Sequence, residues 1–161
     1  MNRIAFILLL LFPVGSLACS FARVTEEFVT TNQESIIPEQ PNFTLTSIHR
    51  GTKGNIGSCN DAGSIKLTVN PEPEQDTGYV FSISQGEFED QLFGEKPIVR
   101  VKKYTEVGEY SFIWLDGYSV EQEPIDIVIR IVAVSKDGGE SEPQFLKVSH
   151  PGVKKPWWKF W

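Results

Sequence analysis

The sequence predicts an all-β sandwich, and three observations carry that prediction. Between Asn42 and His150, short apolar segments alternate with polar residues, which is typical of half-buried strands. Asn, Asp, Gly and Pro separate these segments at short intervals, as turns between strands require. The segment 125–134 places Ile at every second position as far as Ile131, and no stretch of helical period competes with it.

Composition limits the class of protein. The chain has 161 residues, of which 40% are hydrophobic, 22% charged and 12% aromatic, and its formal net charge is -6. These values are typical of a folded globular domain and not of a disordered chain or a basic nucleic-acid binder. We therefore expect one domain and no nucleic-acid partner.

The N-terminus has the layout of a secretory signal peptide. Arg3 precedes an apolar run over residues 4–14, and small residues lead to Ala18. The run of about 11 residues is too short for a membrane-spanning helix, which needs roughly 20. We expect residues 1–18 to be removed and the mature protein to be secreted or periplasmic.

The cysteines leave three outcomes open at the new N-terminus. Cleavage after Ala18 would leave Cys19 first, and a Cys19–Cys59 disulfide would then form in an oxidising compartment. A bacterial lipoprotein would instead acylate Cys19, although Ser16 stands where such signals usually carry Leu. Cleavage after Ala22 would discard Cys19 altogether. The disulfide and the lipid anchor exclude each other.

The elements follow in chain order. Residues 19–41 are polar with little periodicity and are interpreted as an N-terminal arm or linker. The sandwich domain is predicted to span 42–150, and 151–161 forms a tail. Strands are predicted at 43–48, 64–69, 78–83, 98–101, 110–115, 125–134 and 144–148.

The last two predicted strands form a hairpin around Asp137-Gly138-Gly139. The alternation in 125–134 puts apolar residues on both faces, which indicates a strand that is covered on both sides. About seven short strands over this length have the size and rhythm of an immunoglobulin-like sandwich.

Three segments carry a family resemblance. Residues 64–71, 78–83 and 129–143 resemble the B, C and F-to-G segments of fibronectin type III domains, including the Ala-Val stretch, the Gly turn and a Ser-x-Pro step at Ser141. The chain lacks the usual Trp of the B strand and Tyr of the F strand, and Trp114 lies elsewhere. The layout is also similar to small uncharacterised exported bacterial proteins. The resemblance implies a fold and no activity.

No pattern of catalytic or metal-binding residues is present. His49 and His150 have no Cys or second His nearby, and they are interpreted as exposed loop or strand-end residues. The loop carboxylates, among them Asp61 and Asp116, are interpreted as solvated charge. We therefore predict no catalytic residue, no metal site and no cofactor.

The C-terminal tail concentrates aromatic and basic residues. Three interpretations are open: contact with a membrane surface, docking on a protein or glycan, and packing against the same domain. The residues concerned are Lys154, Lys155, Trp157, Trp158, Lys159, Phe160 and Trp161.

The sequence thus predicts an exported, non-catalytic binding or adhesion module of the cell envelope with an unspecified ligand. The alternative is a structural or inhibitory envelope lipoprotein anchored through Cys19. By analogy with other sandwiches, loops from one end would form the binding surface, which nominates 71–77 and 116–123.

Overall fold

Two antiparallel β-sheets pack face to face in this protein. The computed structural model describes residues 24–31, 36–52, 59–71, 77–88, 90–116 and 122–152. In these ranges the chain forms eight strands and one 3-10 turn (Cys59–Asp61). The strands are β1 (Thr25–Glu27), β2 (Phe43–His49), β3 (Ala62–Val69), β4 (Thr77–Gln85), β5 (Ile98–Arg100), β6 (Glu109–Leu115), β7 (Ile125–Ser135) and β8 (Gln144–His150).

The strand order confirms an all-β sandwich of immunoglobulin-like arrangement. One sheet has the order β1-β5-β4-β7-β8 and the other the order β2-β3-β6. All seven predicted strands form and differ from the prediction only at their ends. The eighth, β1, lies within the segment interpreted as an arm.

Strand β7 is covered on both faces, as its sequence predicted. Ile127, Ile129 and Ile131 are fully buried between the sheets, and Val132 and Val134 are buried on the opposite face. The turn at Gly138, whose φ is 94°, closes the β7–β8 hairpin, and its amide donates to the Ser135 carbonyl oxygen at 3.0 Å.

Aromatic rings fill the space between the sheets. The Phe43 and Tyr79 ring centroids are 4.9 Å apart at an interplanar angle of 89°, and those of Phe81 and Phe112 are 4.8 Å apart. Tyr110 lies between them and is fully buried. Edge-to-face pairs of this kind stabilise a core by about 0.5–1.5 kcal/mol each beyond their burial.

The N-terminal arm wraps the five-stranded sheet. After β1 pairs with β5, the Phe28 ring lies over Gly78, so close that a Cβ on Gly78 would come within 2.5 Å of it. Gly78 pairs with Val134 of β7, so the two residues lie side by side in the sheet. The Phe28 ring therefore also accounts for the burial of Val134 on the outer side of β7. Farther on, the amide of Thr31 donates to the Lys136 carbonyl oxygen at 2.7 Å.

The described residues that flank the two loops nominated as one binding surface lie at opposite ends of the sandwich. In the β3–β6 pair, Ala62 faces Leu115 and Thr68 faces Glu109. The chain that follows β3 therefore begins beside the start of β6, whereas the chain that follows β6 begins beside the start of β3. Loops 71–77 and 116–123 therefore start from opposite ends of the sandwich, and the expectation that both come from one end is wrong.

The predicted signal peptide (1–18), Cys19 and the Lys/Trp-rich tail from Lys154 to Trp161 lie outside the described residues. Their predicted roles stay predictions. Within the described ranges, no helix has the length and apolar character needed to cross a bilayer.

Candidate functional site

A buried polar cluster surrounds Asp116 at one end of the sandwich. Arg50 donates to both carboxylate oxygens, through Nε and Nη2, at 2.8 Å each. The Gly51 amide donates at 2.7 Å, Gln122 Nε2 at 2.9 Å and Trp114 Nε1 at 3.2 Å. Only 5% of the Asp116 side chain and 9% of the Arg50 side chain are exposed.

Strand register brings this cluster together. Arg50 directly follows β2 and Asp116 directly follows β6, and both strands pair with the first residues of β3. The Asp116 amide also donates to the Asp61 carbonyl oxygen at 2.9 Å. Gly51 has to be glycine here, since a Cβ would come within 2.6 Å of that same oxygen.

The electrostatics of the cluster keep Asp116 ionised. Burial by itself raises the pKa of the carboxyl group, but the hydrogen bonds from Arg50, Gly51 and Trp114 and the Arg50 charge outweigh it. The pKa of Asp116 therefore lies below its usual range. A carboxylate with five donors has no oxygen lone pair left to serve as a general base or a metal ligand.

This cluster is a structural anchor, and the interpretation of Asp116 as solvated loop charge is wrong. Hydrogen bonds to the Asp116 carboxylate connect the chain after β2, the chain after β6 and Gln122, which precedes β7. Gln122 also donates to the Gly51 carbonyl oxygen at 2.5 Å, while its own Oε1 is buried without a partner among the described residues.

An open groove runs along one side of the sandwich, where each sheet ends. It has a volume of about 630 Å³ and lies between β1 and the β4–β5 connection on one side and β6 on the other. We call it the β1–β6 groove. Its lining residues are Val24, Thr25, Glu26, Glu27, Gln91, Gly94, Glu95, Lys96, Ile98, Ser111 and Ile113.

The outer edge of β6 borders this groove with its backbone free. β6 is the last strand of its sheet, and within the described residues the backbone of 110–115 bonds only to β3. Two apolar side chains on it face outward: Ile113 is 38% and Leu115 is 75% exposed. An exposed regular strand edge with apolar side chains is a template for pairing with another chain.

The other strand edges carry features that discourage pairing. β2 has a register shift between Leu45 and Ser47, β1 is only three residues long, and β8 presents Lys147 in an exposed ion pair. Bulges, short strands and lysine are the usual protections of a sheet edge. β8 is as long and as regular as β6 and exposes Phe145, but it carries Lys147, whereas residues 110–115 of β6 include no charged residue.

Acidic residues line one side of the groove. Glu26, Glu27 and Glu95 line it together with a single cation, Lys96, whose Nζ lies 2.8 Å from a Glu27 oxygen. Lys66 lies nearby opposite Ser111, but it is paired with Glu109 at 3.0 Å. Three carboxylates less one ammonium group give the groove lining a formal charge of -2.

Two buried tyrosines lie in the core away from the groove. Burial raises the pKa of Tyr79 to about 12. Burial, and then the nearby Tyr79, raise the pKa of Tyr110 farther, although Arg100 opposes the shift. Arg100 lies near, but no hydrogen bond of ordinary geometry from the described residues satisfies the Tyr110 hydroxyl. Both phenols are therefore neutral core residues at physiological pH.

The structure places the remaining predicted residues as follows. Cys59 begins the 3-10 turn before β3 and is not a free thiol. His49 and His150 end β2 and β8, as the strand-end interpretation predicted. Within the described residues, no group of three His, Cys, Asp or Glu side chains is placed to hold a metal ion.

Sequence reasoning missed the β1–β6 groove. The signals were the two glutamates of the polar arm and a strand, 110–115, that carries no charged residue. Comparison with protein-family models, curated proteins and solved structures finds no match.

Proposed function

We propose that this protein is an exported, non-catalytic binding module that holds an extended polypeptide segment in the β1–β6 groove. The segment adds as a fourth strand to the β2-β3-β6 sheet, next to β6. In this mode of recognition, backbone hydrogen bonds supply affinity and alternate side chains supply selectivity. The free, apolar edge of β6 is the observation that carries the proposal.

The groove has the dimensions for such a segment. An added strand lies about 4.8 Å from β6, and successive side chains then point to opposite faces of the extended sheet. Residues on one face would contact Ile113, and the facing wall of the groove offers Ile98 and Val24. Its volume of about 630 Å³ is within the range of ligand pockets, roughly 300–1,000 Å³.

The strand order supports a fibronectin type III-like framework for this module. The strands that the sequence resemblance assigns to B, C, F and G are β3, β4, β7 and β8. β3 lies in one sheet and the other three lie in the second sheet, which supports this framework. In a constant-type immunoglobulin domain, the strand that follows C pairs with strand E in the opposite sheet. Here the strand that follows β4 is β5, and it pairs with β4 itself. A module of this kind binds its ligand on the surface of the sandwich. The Asp116 cluster supplies no catalytic group.

Peptide binding to matched variants tests the proposal. The probe is a short, fluorophore-labelled peptide of alternating Thr and Val, and its anisotropy is measured with the mature protein. Ile113→Asn should weaken binding about tenfold, because side chains of the added strand would pack beside Ile113 and remove part of it from water. Phe145→Asn is the control, since Phe145 is 60% exposed on the edge strand of the other sheet.

Hydrogen exchange supplies a second readout on the same complex. Amides on the free edge of β6 should exchange more slowly when the peptide binds, because they gain acceptors. Binding that is insensitive to Ile113→Asn, with unchanged exchange over β6, would overturn the proposal.

The covalent state of Cys19 decides between the soluble module and the lipoprotein alternative. That Cys59 is not a free thiol supports the predicted Cys19–Cys59 disulfide over acylation, which would leave Cys59 without a cysteine partner. Intact mass of the exported protein, before and after reduction and alkylation, is the test. Two alkylated cysteines only after reduction support the disulfide, whereas an acyl adduct on Cys19 establishes the lipid anchor.

A further inference from the structure

We infer that the strand accepted by the β1–β6 groove is a cationic one, with Lys or Arg at alternate positions, contributed by another protein. This inference rests on the proposed function and adds the chemical class of the partner. It comes from the charge of the groove lining and from the edge of β6 taken together.

The acidic residues of the lining lie on the side of the groove that faces β6. Glu26 and Glu27 are both exposed on β1, and Glu95 lies in the β4–β5 connection next to Lys96. Lys96 is occupied by Glu27 at 2.8 Å. A strand between β6 and this wall would therefore lie within a few ångströms of a net negative surface, inside one Debye length of about 8 Å at physiological ionic strength.

Strand geometry sets the pattern of charges on the partner. In an added strand every second side chain points to the same face, so one set lies beside Ile113 on the outer face of the sheet while the other set lies on the core-facing side. Lys and Arg suit such a position because their aliphatic stems pack on apolar surface while the charged ends reach the carboxylates. Apolar residues at the intervening positions complete the segment.

The same charges disfavour a second copy of this protein as the occupant. In a β6-to-β6 pair related by twofold symmetry, each copy would bring its own Glu26, Glu27 and Glu95 toward the same carboxylates of its partner. Like charges brought together across an interface reduce affinity and select against wrong partners. The acidic wall therefore leaves the β6 edge open to a basic strand and protects it from self-association.

Three peptides of equal length test the inference: alternating Lys-Val, Thr-Val and Glu-Val sequences, each titrated into the mature protein. We expect the Lys-Val peptide to bind about tenfold more tightly than Thr-Val, and Glu-Val more weakly than either. Raising the salt concentration from about 0.05 to 0.5 M should remove most of that preference.

Charge reversal locates the effect. The double variant Glu26→Lys/Glu95→Lys should abolish the preference for Lys-Val. The matched control is Glu140→Lys/Glu142→Lys, which changes the net charge by the same amount at two exposed residues near the β7–β8 turn. The control should keep the preference, because those residues do not line the groove.

The outcomes separate the two proposals. Equal binding of all three peptides, weakened by Ile113→Asn, would overturn the charge selectivity and leave the strand-addition function standing. Loss of selectivity in the control variant as well would also overturn the inference, since net charge alone would then explain it. If none of the peptides binds, or if sedimentation shows a dimer sensitive to Ile113→Asn, the proposed partner is wrong.

Discussion

Arg50 holds Asp116 with two parallel hydrogen bonds, from Nε and Nη2, of 2.8 Å each. A planar guanidinium that meets a carboxylate in this way fixes both distance and orientation. Because Arg50 follows β2 and Asp116 follows β6, this pair joins the two edge strands of the three-stranded sheet at one end. The Arg50–Asp116 pair covers the end of the core at which Trp114 is packed.

Removing the Asp116 carboxylate should lower the stability of the protein. Asp116→Ala leaves the buried Arg50 guanidinium without its counter-charge, and we expect the free energy of unfolding to fall by about 3–5 kcal/mol. Urea denaturation followed by circular dichroism measures it. Asp126→Ala is the matched control: its ion pair with Lys147 is 3.2 Å long but largely exposed, so its loss should change stability by about 0–1 kcal/mol. Equal effects of the two variants would contradict the anchoring role of Asp116.

The same residue should make stability depend on pH in the acid range. The pKa of Asp116 is lowered in the folded protein, so its contribution is complete above the unfolded value of about 3.9 and is lost as the pH falls through the folded pKa. We expect the urea midpoint of the protein to drop on acidification below about pH 4. Asp116→Asn, which cannot titrate, should show a shallower drop, and an identical slope would count against this assignment.

Gly63 should not tolerate a larger residue. It pairs with Trp114 across β3 and β6, and the indole ring lies where a Cβ would be. Gly63→Ala should therefore displace the ring and destabilise the protein by about 1–3 kcal/mol. Tryptophan fluorescence and thermal unfolding report both effects. Gly94→Ala is the control, since nothing lies within 4 Å of a Cβ there, and it should stay within about 0.5 kcal/mol of the parent.

Gln144 should act as a clamp between the sheets. Its side-chain amide accepts from the Phe43 amide at 2.7 Å and donates to the Phe43 carbonyl oxygen at 2.8 Å, so it pairs with β2 as a strand backbone would. Gln144→Ala leaves both groups without a protein partner and should cost about 1–3 kcal/mol. Faster amide exchange at Phe43 would show where the loss occurs. Gln40→Ala, which removes one exposed bond to Pro143, should cost less than about 1 kcal/mol.

The strands were predictable because their signal is local. The alternation in 64–69 and 125–134 is created by burial of one face, and the structure buries Ile65, Leu67 and the β7 isoleucines. Strand β1 was not predictable in this way. Thr25–Glu27 has no alternation, and it is extended only because β5 offers it a free edge far along the chain.

The candidate site was hidden for a related reason. In the sequence, a single aspartate after a strand is interpreted as solvated charge. Arg50 comes to lie beside Asp116 only because β2, β3 and β6 pair with one another. The β1–β6 groove likewise depends on which strands end each sheet. A sequence pattern reports which face of a strand is buried, and it does not report which edge of that strand stays unpaired.

The arm that crosses Gly78 has a consequence for how the newly made chain folds. Thr31 is anchored to Lys136, a partner 105 residues later in the sequence, and β1 needs β5. Because a chain is synthesised from its N-terminus, the segment that can dock last is made first. Until the β7–β8 hairpin has formed, Phe28 and the outer side of β7 have nothing to cover them, so the interval between synthesis and docking is when this protein is most exposed to aggregation and to proteases.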